Sequence, residues 1–384
     1  MKITKIETFQ VPPRWLFCKV STDEGVIGWG EPVVEGRAAT TRAAVHELAE
    51  LLIGADPTHI EDCWQVATKS GFYRGGPVLS SAVAGIDQAL WDITGKLRGV
   101  PVHELLGGPV RDRVRMYNWI GGDEPGQLAD DIARQIEAGF TAVKMNATGR
   151  FRRLADRAAV LQVIERVELA RSLLGDERDL ALDFHGRVSI ADAARILPLL
   201  APYHPLFVEE PVLPEYLHML NRLAGPVPLA TGERLYSRSE FLPVLAAGVS
   251  VVQPDLSHAG GISEVRRIAS LAETFDAALA PHCPLGPIAL AASLQVAFAT
   301  PNFLIQEQSL GIHYNVGNEL LDYLVDRSPF DYVDGYIRRP TGSGLGIEID
   351  ETAVRAADKV APDWHSPVWR HADGSLAEYA LICL

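Results

Sequence analysis

From about residue 113 the chain alternates a short, continuously apolar segment with a helical stretch, again and again. The apolar segments are VRMYNWI, AVKMN, LALDF, LFVEE, VPLATGE, VSVVQPD, AALAPH and FLIQE. Each is the length of a strand and has no polar face, which predicts a parallel sheet covered on both sides. Between them, stretches such as QLADDIARQIEAGF, SIADAARILPLLAPY and GISEVRRIASLAETFD place apolar residues at helical spacing. Eight strand–helix units close into a barrel over about 200–250 residues, the length available here. The helix of the last unit is the weakest of the set.

The preceding residues read differently. KITKIETFQV and WLFCKVSTDEGVIGWGE alternate like strands around a TDEG turn. Three helical stretches follow, the last closed by Gly99. The expected fold is therefore α/β, with an α+β N-terminal domain over residues 1–112 and a barrel over 113–339. The segment 340–384 returns to turns and aromatics and is expected to fold back on the N-terminal unit. A chain of 384 residues suits two domains.

The formal net charge of −14 argues against nucleic acid or an anionic membrane as partner. No apolar run reaches the roughly 20 residues needed to cross a bilayer, and the start lacks a signal-peptide core. Cys18, Cys63, Cys283 and Cys383 are far apart and form no CxxC, the usage of reduced thiols. A cytoplasmic protein acting on a small molecule is expected.

The strand ends carry the chemistry. In order they present Lys144 and Asn146, Asp183 and His185, Glu209 and Glu210, Glu233, Asp255, His282 and Glu307. In a barrel these ends converge on one mouth. Asp183, Glu209 and Glu233 come from three successive strands; together they repel unless a cation joins them. A carboxylate-only donor set without cysteine favours Mg²⁺. Asp255 can orient His282 and raise its basicity, making a general base. His185, beside Asp183, can pass a proton to a leaving group. A base, an acid and a divalent metal suit removal of the proton α to a carboxylate, with charge building into an enediolate, followed by loss of a neighbouring hydroxyl. His258 and His313 read more simply as structural. HAGG opens a helix but has no following Lys and is a weak phosphate signal.

These residues resemble the enolase superfamily in its mandelate-racemase-like subgroup, for which a Lys or His base with Mg²⁺ and an ene-diolate is known. The stretches GFYRGGP, GIDQALWDI, LDFHGRVS, PLFVEEPVL, QPDLSHAGGI, APHCPLGPIALA and QEQSLGIHYN carry the likeness. It implies a modified (β/α)7β TIM-like barrel under a capping domain, completed by the C-terminal segment. It also implies Asp183, Glu209 and Glu233 as metal ligands and Asp255–His282 as the basic pair. Glu307 would be a neutral acid on the substrate carboxylate. Racemases carry Lys-x-Lys where this chain has Lys144-Met145-Asn146, so their second base is missing. That leaves His282 as base and His185 as acid and favours a sugar-acid dehydratase, with D-galactonate as first substrate. The alternatives are another aldonate or aldarate, a barrel metallohydrolase, or a non-catalytic binding protein on the same fold.

Lys144, Asn146, Arg14, Tyr73 and Arg74 are the expected substrate contacts, the last three from cap loops that close over the mouth. Trp364, Trp369 and His371 are expected to brace the cap. The resemblance implies a homo-oligomer, an octamer or a dimer.

Overall fold

The alternation in KITKIETFQ is that of a strand: β1 (Ile3–Val11) buries Ile3, Ile6, Phe9 and Val11. It pairs antiparallel with β2 (Trp15–Thr22), which pairs with β3 (Ile27–Gly30). Helices α1 (Ala38–Leu52), α2 (Ile60–Lys69) and α3 (Gly76–Arg98) complete this unit, and α4 (Val102–Leu105) leads out of it. Gly28 and Gly30 let β3 lie against the backbone of α3. A Cβ on either would fall within 2.1 Å of the carbonyl oxygens of Ala89 or Gly85. The structure, a computed structural model, describes residues 1–121, 125–312, 315 and 319–378; His313 and Cys383 lie outside them.

Eight parallel strands follow: β4 (Arg113–Trp119), β5 (Ala142–Asn146), β6 (Asp179–Asp183), β7 (Val208–Glu209), β8 (Leu229–Thr231), β9 (Val251–Val252), β10 (Ala278–Leu279) and β11 (Gln306–Gln308). They pair in order from β4 to β10. The circle closes because β11 pairs β4, and Leu279 bridges in parallel to Phe303 just before β11. The connections are α5 (Pro125–Glu137), α6 (Arg157–Leu174), α7 (Ile190–Leu200), a 3-10 helix at Pro214–Leu223, α8 (Arg238–Ala246), α9 (Gly261–Glu273) and α10 (Pro287–Ala299). With a helix in each of the seven connections and, among the described residues, no α-helix directly after β11, this is the (β/α)7β form.

Inside the barrel, Tyr117, Ala142, Ala181, Phe207, Ala230, Val251, Ala280 and Ile305 pack as an apolar cluster of their own, one residue per strand. Small alanines beside large aromatics fill the interior and give the mouth a dry floor. A short hairpin, β12 (Tyr332–Val333) with β13 (Tyr336–Arg338), adds antiparallel to β4. Its strands, of two and three residues, are too short to show a period in the sequence.

The C-terminal segment contacts the first unit. On α11 (Glu351–Asp358), Asp358 accepts from the Gln10 N–H at 2.7 Å, and Glu351 meets Lys19 at 2.7 Å. Among the described residues no helix is long and apolar enough to cross a membrane.

Candidate active site

Register places the metal-ligand candidates. Asp183 ends β6 directly opposite Glu209 on β7, and Glu233 follows β8 by two residues. Each offers one oxygen, and the three oxygens lie within 4.8 Å of one another. Asp183 and Glu209 are fully buried. Asp183 Oδ1 accepts the His185 N–H at 2.7 Å, whereas Asp183 Oδ2 and Glu233 Oε2 are buried and accept no hydrogen bond. Burial pushes both carboxyls well above the usual range, and Glu209 beside Asp183 and Glu210 beside Glu233 add to it. Orphaned acidic oxygens gathered at one point are what a hard divalent cation satisfies, so the donor set fits such a metal.

Lys144 does not line the cavity and is instead bound by strand-end carboxylates. Its ammonium, on a side chain only 2% exposed, sits 2.8 Å from Glu209 Oε2, 2.9 Å from Glu307 Oε1 and 3.7 Å from Asp183 Oδ2. Burial works against its charge, but Glu209 and Glu307 outweigh it and hold the ammonium well above its ordinary value. The expected substrate contact is thus a cation paired with Glu209 and Glu307 beside Asp183. Glu307 accepts at its other oxygen from the Cys283 N–H at 2.9 Å. Both its oxygens therefore meet donors, where the resemblance implies a neutral acid that donates.

The two histidines follow β6 and β10, four strands apart in a ring of eight, so they face each other across the mouth. His282 Nδ1 donates to Asp255 Oδ2 at 2.8 Å, leaving Nε2 3.5 Å from Glu233. Burial lowers the His282 basicity, yet Glu233 and the Asp255 bond overcome it and hold the imidazole well above its usual range. Asp255, though buried, is kept low by His258 and the His282 bond. His185 Nδ1 lies 2.7 Å from Asn146 Oδ1 and its Nε2 lies 3.2 Å from Asp183 Oδ2. Asn146 thus touches the acid candidate; it was expected to touch substrate. Burial first, then Arg187, Lys144 and Arg234, push His185 well below its ordinary value. His185 and Glu210, at neighbouring strand ends, both adopt left-handed backbone (φ 48° and 40°), the kind of strain that clusters at working sites.

A cavity of about 360 Å³ opens above this group, in the size range of small-molecule sites. His185, Glu233 and His282 form its barrel side, and Arg14, Val34, Glu35 and Pro77 its cap side. Arg14 lines it, 3.5 Å from Glu35. Tyr73 and Arg74 do not. The turn before α3 folds on itself, with Arg74 Nε donating to Gly71 O at 2.9 Å and Tyr73 87% exposed against Phe72. Trp364 also departs from its expected bracing role. It lines the cavity with Ser366, its ring 5.5 Å from the Arg14 guanidinium.

Sequence reasoning missed Arg234, which grips Glu210 through two contacts of 2.6 Å on the cavity wall. The signal was present: two candidate metal ligands, Glu209 and Glu233, are followed by residues of opposite charge, Glu210 and Arg234. His258, read as structural, also lines the cavity, its Nε2 3.8 Å from both Glu35 and Asp255.

A capped barrel whose mouth holds three carboxylates from consecutive strands between two oriented histidines defines an acid–base enzyme class built around a divalent metal, the enolase superfamily. The chain belongs to it. Residues 127–353 match the family described as enolase C-terminal domain-like, and residues 6–107 match the mandelate racemase / muconate lactonizing enzyme N-terminal domain. It is 56% identical to a D-galactonate dehydratase of Ralstonia pickettii, over 99% of this chain and all of that protein. It is 54% identical to one of Variovorax paradoxus over the same shares. Among solved structures, an enolase of Agrobacterium radiobacter described as a putative galactarate dehydratase, bound to Na and L-malate, superposes with a TM-score of 0.89. That protein is 34% identical, over 98% of this chain and all of its own.

Proposed function

We propose that this chain dehydrates a sugar acid, D-galactonate first, to 2-dehydro-3-deoxy-D-galactonate and water. The observation that carries the reading is the pair of histidines on opposite sides of the carboxylate trio, each oriented by a different partner, Asp255 for His282 and Asn146 for His185. One side can take a proton while the other returns one, and no second base stands at the position of Asn146.

Asp183, Glu209 and Glu233 would hold the cation, Mg²⁺ in this reading. When bound, it offsets the charge that builds on the substrate carboxylate. His282 takes the C2 proton, its Nδ1 held by Asp255 so that Nε2 faces the substrate. The C3–O bond breaks as His185 gives a proton to the departing hydroxyl. The enol left behind tautomerises to the 2-keto acid. Free His185 is held neutral by burial and nearby cations, and an anionic substrate entering the same cavity works in the opposite direction, letting the imidazole carry its proton. Arg14 and Trp364 form the wall that meets the distal end of the sugar chain, and water is kept out by the cap.

The names of the full-length relatives favour galactonate, and the Agrobacterium neighbour's description favours a six-carbon diacid as second reading. A metallohydrolase is disfavoured because both histidines are committed to Asp255 and Asn146 and the ligand candidates are all carboxylates. The cap of residues 1–112 with 340–384, the barrel of 113–339, a homo-oligomer and a cytoplasmic setting belong to the same proposal. The test is a panel of sugar acids scored for 2-keto product with Mg²⁺ and with EDTA. Turnover of galactonate that EDTA abolishes is expected; turnover of another acid alone would replace the substrate, and none at all would overturn the reaction.

A further inference from the structure

Glu31 follows β3, is fully buried, and crosses from the first unit to the barrel. Its Oε1 accepts the Gly286 N–H at 2.7 Å and its Oε2 the Ala289 N–H at 3.0 Å, at the start of α10 and just past His282. Gly286 has an ordinary φ of −80°, but a Cβ there would lie 2.6 Å from Glu31 Oε1, so the glycine leaves room for the carboxylate. The Glu31 N–H in turn donates to Gln88 Oε1 at 2.9 Å. Gln88 Nε2 donates to Leu256 O at 2.9 Å and lies 3.3 Å from Ser257 Oγ. The Ser257 N–H donates to Asp255 Oδ1 at 2.6 Å.

Two cap residues bound to each other therefore hold both loops that deliver the basic pair. On the barrel side, the His282 loop is met by side chains at the end of β11, Gln306 Nε2 donating to Pro281 O at 3.1 Å and Glu307 accepting the Cys283 N–H, while strand pairing stops short of both residues. Strands β9 and β10 are two residues each, and their paired register ends at Val252 and Leu279, three residues short of Asp255 and His282. Burial lifts the Glu31 carboxyl to about 8, a cost that an apolar residue at this place would not carry.

We propose that Glu31 and Gln88 are positioning residues for proton abstraction: the cap fixes the distance and angle between His282 and Asp255, in addition to covering the mouth. This rests on His282 being the base. A displacement of about 1 Å at a reacting group costs on the order of 100-fold, so the loss of either tie has a kinetic signature.

The experiment compares E31Q, Q88M, D92N and H282N for exchange of the substrate C2 hydrogen with deuterium oxide, KM, Mg²⁺ affinity and Tm. Asp92 ties β3 and the tail through the Trp29 and Leu345 N–H groups, away from the dyad, and serves as the structural control. The expected result is a fall of roughly 10–100-fold in the maximal exchange rate for E31Q and Q88M, with KM and Mg²⁺ affinity little changed, while D92N lowers only Tm. Exchange within about twofold of the parent in both variants, or a rise in KM alone, overturns the proposal. If E31Q does not fold, Q88M decides. If H282N itself retains exchange, it is the assignment of the base that fails; if H282N abolishes exchange and neither E31Q nor Q88M slows it, only the cap's positioning role falls.

Discussion

Asn146 Oδ1 accepts a hydrogen bond from His185 Nδ1 at 2.7 Å, and the register that sets Asn146 opposite Asp183 makes that contact automatic. The amide oxygen can only accept, so it fixes the proton on Nδ1 and leaves Nε2 on the side of the carboxylate trio, 3.2 Å from Asp183 Oδ2. In N146A the ring loses that orientation. Dehydration is expected to fall about 10–100-fold, as for other residues that orient a working histidine. Exchange at C2, which depends on the opposite side of the mouth, should fall much less. Measuring keto-acid formation and deuterium incorporation in one reaction gives the ratio directly; equal losses would mean that Asn146 acts on both steps.

The two histidines separate in the same assay. H282N should lower both exchange and dehydration by roughly 10²–10⁴-fold, the range for loss of a general base, while Mg²⁺ still binds because the carboxylates remain. H185N should block dehydration and leave exchange. A variant pair in which both activities always fall together would show that the two sides do not divide the work.

The barrel and the carboxylate trio were legible because a strand's length and period fix which end carries its polar residues. Asp183, Glu209 and Glu233 needed only the βα rhythm to be placed together. What a period cannot give is direction out of the strand. Lys144 is one residue of an all-buried strand, and only three-dimensional register reveals that its ammonium meets Glu209 and Glu307. Tyr73 and Trp364 failed in opposite senses for a common reason. Each sits in a loop without period, so nothing local says whether an aromatic faces the cavity or solvent. Glu31 drew no attention because its partners are backbone N–H groups more than two hundred residues away, which leave no side-chain signal.

Glu31 also gives the fold a pH dependence. Burial lifts its carboxyl to about 8, and the same cause lifts Asp87, which accepts the Ser263 N–H, to about 7. For an acid whose folded value lies above the unfolded one, the folded state binds more protons between the two. Stability is therefore highest below the unfolded value near 4.5 and declines as pH rises toward 8. Thermal melts of the parent should lose stability across that window, and E31Q should flatten the slope. A slope identical in parent and E31Q would assign the effect to other groups.

Lys144 supplies the sharpest test of the electrostatics beneath the site. Its ammonium neutralises part of a cluster in which Asp183, Glu209 and Glu307 all lie within 3.7 Å of it. K144M fills a similar volume but leaves Glu209 and Glu307 buried without their cation. Removing one partner of a buried ion pair costs about 3–5 kcal/mol, so the metal-free variant should melt well below the parent. The trio above then carries one more uncompensated negative charge, which draws a divalent cation more strongly. Mg²⁺ should therefore raise the Tm of K144M by more than it raises that of the parent, because a ligand stabilises in proportion to the logarithm of its concentration over its dissociation constant. Melts with Mg²⁺ and with EDTA read both effects at once. Equal increments in the two proteins would mean that Lys144 and the cation do not feel the same carboxylates, and the trio would lose its standing as the metal centre.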